Sequence, residues 1–317
     1  MSARVIGPAT PSARAGGRAC RRGFLLGAAA LGIGAVLPGA SAGSNAAPEL
    51  RWTGRALGAA ASLRLRGETG RARMALAAAV DTLRRVERLF SLYDPASALS
   101  RLNRTGSLVM PPEFARLVAE VERAHAVTQG AFDPTVQPLF AAMLGAGGRL
   151  EASERRSLAG RIGWGDVRVR RGTIGLAPGM ALTFNGIAQG FATDRVTETL
   201  RAHGFEDVVV DAGELRVGVG DATLGVPDEH GVVRPLRLRD VALATTHARA
   251  FTFPDGTGHI LHPGAVRPGG VERVTVRARS ATVADAMSTA IVAGAAPREL
   301  ADRLVREGVI EDATLSI

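Results

Sequence analysis

Asp285 and Thr289 stand four residues apart in "VADAMSTAIVAGA" (283–295), a stretch otherwise dominated by Ala, Val, Ile and Met. On a helix that step stacks two side chains on one face. A carboxylate in so apolar a setting is costly unless it is paired or holds a metal, and a carboxylate with a hydroxyl oxygen is a ligand set for a hard cation. Short polar side chains near a helix start also cap it, so the spacing equally fits an N-cap Asp followed by a Thr bonding back to its own helix. Spacing alone leaves both readings open.

Four other stretches carry candidate chemistry. "LTFNGIAQGFATD" (182–194) runs from a strand through Asn185 and Gly186 into a helix, a turn that exposes carbonyls at the strand end and phosphate-attracting N–H groups at the helix start. "SLYDPASALSRLN" (91–103) holds the only tyrosine, Tyr93, whose ring could stack on a flat ligand or pack half-buried in the core. In "GAFDPTV" (130–136) Asp133 before Pro134 fits a plain turn. "GHILHPGAV" (258–266) offers His259 and His262, which in a strand would face opposite sides and could not share a zinc ion, although one could act as acid or base. No Walker lysine and no G-x-G-x-x-G after a first strand is present.

The elements that must position these residues follow from periodicity. "SLRLR" (62–66) alternates as a strand after a loose "GSNAAPEL" linker, and the apolar residues of 72–90 follow a helical period. "PPEFARLVAEVERAHAVTQG" opens a second helix on Pro and stops it at Gly130. Beyond about 165 the pattern predicts short strands at "VRVR", "ALTF", "VVVDAG", "LRVGV", "VALAT" and "VERVTVRA", interrupted by helices at 187–202 and 284–295 and followed by "PRELADRLVREG". Helices early and strands late, without strict alternation, point to an α+β fold in one domain, with a bilobed form allowed.

Composition excludes several function classes. The chain has 317 residues and a formal charge of +9, but Arg4, Arg14, Arg18, Arg21 and Arg22 lie in residues 1–42 without an acid, so removing those five leaves +4. With no Lys, one Tyr and two Trp, nothing supports a stacking platform for nucleic acid. "CRRGFLLGAAALGIGAVLPGASA" has paired arginines, an apolar run over 24–37 too short to span a bilayer, and an A-S-A ending at Ala42. It predicts a twin-arginine export signal over 1–42, a periplasmic mature domain over 43–317 without a transmembrane helix, and loss of the only cysteine, Cys20, on cleavage.

The order of the motifs, Tyr93 with its Pro turn, then "GAFDPTV", "NGIAQGFATD", "GHILHP" and "ADAMSTA", resembles that of the FAD:protein FMN transferase (ApbE) family from about Gly54 to Ala295. The resemblance implies an α+β enzyme that binds FAD and magnesium, transfers the FMN moiety to a threonine or serine of an acceptor flavoprotein and releases AMP. By similarity Asp285, Thr289 and the Gly186 carbonyl match the magnesium ligands. Leu57, Tyr93, Ala131, Phe132, Asp133, Thr183, Gln189 and Ile260 match FAD-contacting positions, and His259 matches a histidine suited to acid/base or orienting work. The chain departs from the family pattern at Thr183, usually Asp, at Gln189, usually Lys, at Leu57-Gly58-Ala59 for M-G-T, and at His262 through Val266 for D-P-x-T-G. A flavin-binding scaffold without transfer, or an FAD pyrophosphatase using the same metal site, are the alternatives.

Overall fold

Alternating apolar residues build the strands of this chain, and three- to four-residue spacing builds its helices. The computed structural model describes residues 48–219, 222–227, 233–262 and 270–316, with the backbone of a two-residue strand at 36–37. The remainder of the expected export signal, and 263–266 after His262, lie outside the described residues.

In chain order, β1 (Val36–Leu37) precedes the hairpin β2 (Glu49–Ala56) and β3 (Ala59–Arg66), then α1 (Thr69–Phe90), α2 (Ala98–Thr105), β4 (Ser107–Val109) and α3 (Pro112–Val127). Next come α4 (Gln137–Gly145), α5 (Ala152–Ala159), β5 (Arg168–Arg170), β6 (Thr173–Gly175) and α6 (Ala188–Ala202). Strands β7 (Val208–Asp211), β8 (Leu215–Val217), β9 (Ala222–Pro227), β10 (Val233–Leu238), β11 (Val241–His247) and β12 (Arg273–Ala278) follow, then α7 (Ala281–Ala293), α8 (Pro297–Arg306) and β13 (Asp312–Ser316).

The main sheet has seven antiparallel strands in the order β13-β12-β11-β8-β7-β3-β2. Helices α1, α6 and α7 pack together on one face, so the architecture is the expected α+β domain. On the other face Leu215, Val217, Val241 and Leu243 are covered by Ala222 and Leu238 of the β9–β10 pair. Among the described residues no helix is long and apolar enough to cross a membrane.

An aromatic cluster ties the helices to the turn before α6. Phe90 meets Phe114, Phe184 and Phe191 at ring-centroid distances of 5.3, 5.7 and 5.8 Å. Such pairs contribute about 0.5–1.5 kcal/mol each beyond their buried area. Phe184 thereby anchors a segment with little regular structure of its own.

Four expectations need correction. "ALTF" is extended coil rather than a strand, because Asn103 replaces a ladder partner: its amide donates to the Leu182 carbonyl and its oxygen accepts from the Leu182 N–H, both at 2.8 Å. Helix α7 opens at Ala281 instead of 284, since Ser280 caps it and the Asp194 carboxylate accepts from the N–H groups of Ala281 and Thr282 at 2.9 Å. The "GSNAAPEL" linker becomes strand from Glu49, where pairing with β3 begins. His259 and His262 lie in a bend after the isolated Thr252–Gly258 bridge, so strand alternation does not apply to them.

Candidate active site

Between the ends of the central strands β3, β7, β8 and β11 and helices α6 and α7 lies a cavity of about 320 Å³. The segment after α3 supplies Ala131, Phe132, Asp133 and Gln137, and the turn into α6 supplies Thr183, Gly186 and Gln189. The β7–β8 turn adds Asp211 and Glu214, and the end of β11 adds His247. His259 and Ile260 close one side, and α7 contributes Asp285 and Thr289. Ten of the twelve expected site residues therefore line one cavity. Leu57, in the β2–β3 turn, and the half-exposed Tyr93, between α1 and α2, are not part of it.

Asp285 is not a helix cap, which corrects one of the two readings its spacing allowed. It sits in the second turn of α7, is 3% exposed, and accepts the Gly190 N–H at 2.9 Å. This contact exists because Gly190 has no side chain: a Cβ there would lie 2.2 Å from the Ala281 carbonyl oxygen. Gly186 is equally constrained, since its Cβ would meet Thr289 Oγ1 and Cγ2 at 2.8 Å. The backbone of the turn thus lies directly against the Thr289 hydroxyl.

The wall is acidic. Burial, opposed by the Gly190 N–H and reinforced by Asp194, pushes Asp285 up to about 7. Glu214 is held well above the ordinary carboxylate range by burial first and by Asp285 second, although it accepts the Thr245 N–H at 3.2 Å. Burial also raises Asp211, against the Gly213 N–H and Arg64. Among the described residues no arginine lines the cavity. Asp133 is occupied structurally: it accepts from the Thr135 N–H and hydroxyl at 2.9 and 2.6 Å and from the Trp164 N–H at 3.1 Å. Ala131 and Phe132 are held beside it by the Thr128 hydroxyl, which accepts the Phe132 N–H at 3.0 Å.

Histidine chemistry is present on the opposite wall. Burial lowers the His259 pKa, the Phe251 and Ala248 carbonyls raise it, and nearby His247 lowers it again. Its Nδ1 lies 3.2 Å from the Phe251 carbonyl oxygen. His262 does not reach the wall.

Sequence reasoning missed Asp211, Glu214, Gln137 and His247. The first two had a signal, because acids flanking the turn of a Val-rich hairpin, "VVVDAGELRV", are out of place in a buried strand pair. Gln137 and His247 had none.

Among the described residues no group of three His, Cys, Asp or Glu is disposed to hold a metal. Asp285 and Thr289 bring a carboxylate and a hydroxyl to the cavity beside the Gly186 backbone, an oxygen-donor set that fits a hard cation better than zinc.

An α+β domain on an antiparallel sheet, with an acidic, oxygen-lined cavity beside one helix, has the build of a ligand-binding enzyme domain. The ApbE family model matches residues 57–309, and the chain belongs to that family. The FAD:protein FMN transferases of Haemophilus influenzae and Vibrio cholerae serotype O1 are 26% and 28% identical to it. Each match covers 66% of this chain, with 69% and 70% of the relatives. The flavinyl transferase ApbE of Pseudomonas stutzeri, in its apo form, shares the fold with a TM-score of 0.72 at 22% identity, over 86% of this chain and 96% of that one. The Vibrio cholerae flavin transferase ApbE superposes with a TM-score of 0.71 at 20% identity, over 86% and 94% of the two chains.

Proposed function

We propose that the protein is a magnesium-dependent FAD:protein FMN transferase, exported through the Arg21-Arg22 signal and acting in the periplasm on a threonine or serine of a redox flavoprotein. The observation that carries the magnesium requirement is the charge of the cavity. A pyrophosphate resting against Asp211, Glu214 and Asp285 calls for a cation between them, and among the described residues no arginine lines the cavity to serve. Asp285, Thr289 Oγ1 and the Gly186 carbonyl would hold the ion, which neutralises the charge developing on the phosphates. Ala131 and Phe132 would contact the flavin, Thr183, Gln189 and Ile260 the rest of FAD.

In the transfer, the acceptor hydroxyl oxygen forms a bond to the FMN phosphorus, the bond from that phosphorus to the bridging oxygen breaks, and AMP leaves. His259 takes the hydroxyl proton. With its own proton on Nδ1 toward Phe251, Nε2 carries the basic lone pair, and the lowered pKa keeps it neutral near pH 7.

The test is incubation of the 43–317 chain with FAD, magnesium and a threonine-bearing acceptor domain, read by acceptor mass and AMP. One FMN added per AMP released is expected. AMP without acceptor modification would replace transfer by FAD hydrolysis, and FAD binding without AMP would leave a flavin-binding scaffold.

A further inference from the structure

A second concavity, of about 240 Å³, lies between α3, α6 and the start of α7. Five guanidinium groups reach its wall: Arg116 from α3, Arg195 and Arg201 from α6, Arg216 from β8, and Arg279 just before α7. Three carboxylates share the wall, Glu120, Asp194 and Glu198, and each is already engaged. Asp194 accepts from the Ser280 hydroxyl, the Ala281 N–H, and the N–H and hydroxyl of Thr282, at 2.7–2.9 Å. Glu120 pairs with Arg123 on its own helix. Glu198 serves both Arg195 and Arg116, the latter at 3.6 Å.

Carboxylates outside the wall partner the other guanidinium groups. Arg201 and Arg216 share one oxygen of Asp240, at 3.0 and 2.7 Å. Arg279 is 93% exposed and only 3.9 Å from Glu311. The Arg195 side chain is 16% exposed. Its buried Nε lies 3.2 Å from Glu113 Oε2 but off the hydrogen-bond direction, so both atoms lack a hydrogen-bond partner. Burial, with Arg116 and Arg85 nearby, lowers its pKa against the pull of Glu113. The Arg195 Nε is spent on its ion pair with Glu113, but five guanidinium groups against three carboxylates leave the wall of the hollow net positive, a field that an anion lying in it would offset.

We infer that this groove is a metal-independent site for a small phosphate-bearing oxyanion, separate from the acidic cavity. Guanidinium forks arriving from four elements suit the several oxygens of a phosphate, whereas a planar carboxylate would satisfy one fork. The two sites share α6, which carries Gln189 to the cavity and Arg195 to the groove.

Titration of the purified protein with inorganic pyrophosphate in EDTA, at constant ionic strength, tests this by calorimetry and thermal shift. The chelator silences metal-mediated binding at the acidic cavity, so the result stands apart from the transferase reading. Saturable binding that raises the melting temperature is expected. Removing the two exposed guanidiniums, Arg116→Ser with Arg279→Ser, should weaken it at least about tenfold, since their charge-assisted hydrogen bonds to the anion are lost. The charge-matched control Arg168→Ser with Arg170→Ser on β5 should bind as wild type does. Absence of saturable binding, or equal loss in both double variants, would overturn the site.

Discussion

At the scale of single residues, Asp285 is the charged member of the proposed metal ligand set. Its ionised form is disfavoured in the folded chain, so Asp285→Asn should abolish magnesium-dependent AMP release while the folded state survives. In EDTA at pH 8 the variant should melt higher than wild type, because it removes a buried charge without changing shape. An unchanged magnesium response would end the metal-site reading. His259→Ala should lower transfer by about 10²–10⁴ with FAD binding retained, the usual worth of a proton acceptor. In the wild type, the acid limb of the rate profile should fall below 6.5, the ordinary histidine value, because burial depresses this imidazole. Gly190→Ala tests the turn: a Cβ at 2.2 Å from a backbone oxygen should cost about 1–3 kcal/mol in denaturant unfolding and displace Asp285.

At the scale of elements, α7 is a charged device set into an apolar core. Asp285 has a folded pKa of about 7 against an ordinary 3.8, so between those values the folded state binds more protons than the unfolded one. Stability without metal therefore falls as pH rises through that window. Magnesium binds the ionised form, so its stabilising effect should grow from pH 6 to 8, a trend visible in melting curves with and without the ion. A magnesium shift independent of pH would remove Asp285 from the ligand set. The start of α7 depends on α6, since Asp194 serves three successive residues there. Asp194→Ala should destabilise the fold by about 0.5–2 kcal/mol, the range for lost caps.

For the whole molecule, the cavity spans the gap between the ends of the central strands and the helices, so a ligand filling it would reach from Ala131–Phe132, the proposed flavin contacts, to Asp285 and Thr289 on α7, the proposed metal donors. FAD should bind more tightly than riboflavin, and the difference should vanish with chelator, as fluorescence titration would report. Equal affinity for both flavins would reject this placement. Export belongs to the same scale: Arg21→Lys with Arg22→Lys should leave the precursor in the cytoplasm, because the route reads paired guanidinium groups. Undiminished periplasmic accumulation would refute it.

Periodicity determined the α+β class and most of the helices, because helix faces and turn glycines are local properties that a chain carries in its own spacing, whereas ten residues that line the cavity were named through the resemblance of the ordered motifs to the ApbE family. The one-residue-type signals failed where partners come from far away. Asn103 supplies the bonds that keep 181–184 out of the sheet, and Asp194 supplies the cap that moves the start of α7, each across about eighty residues of chain. Whether Asp285 caps a helix or faces a cavity, and that Glu214 stands beside it, depended on how β8, α6 and α7 pack. Burial and charge proximity are properties of that packing, and only the tertiary structure brings them into being.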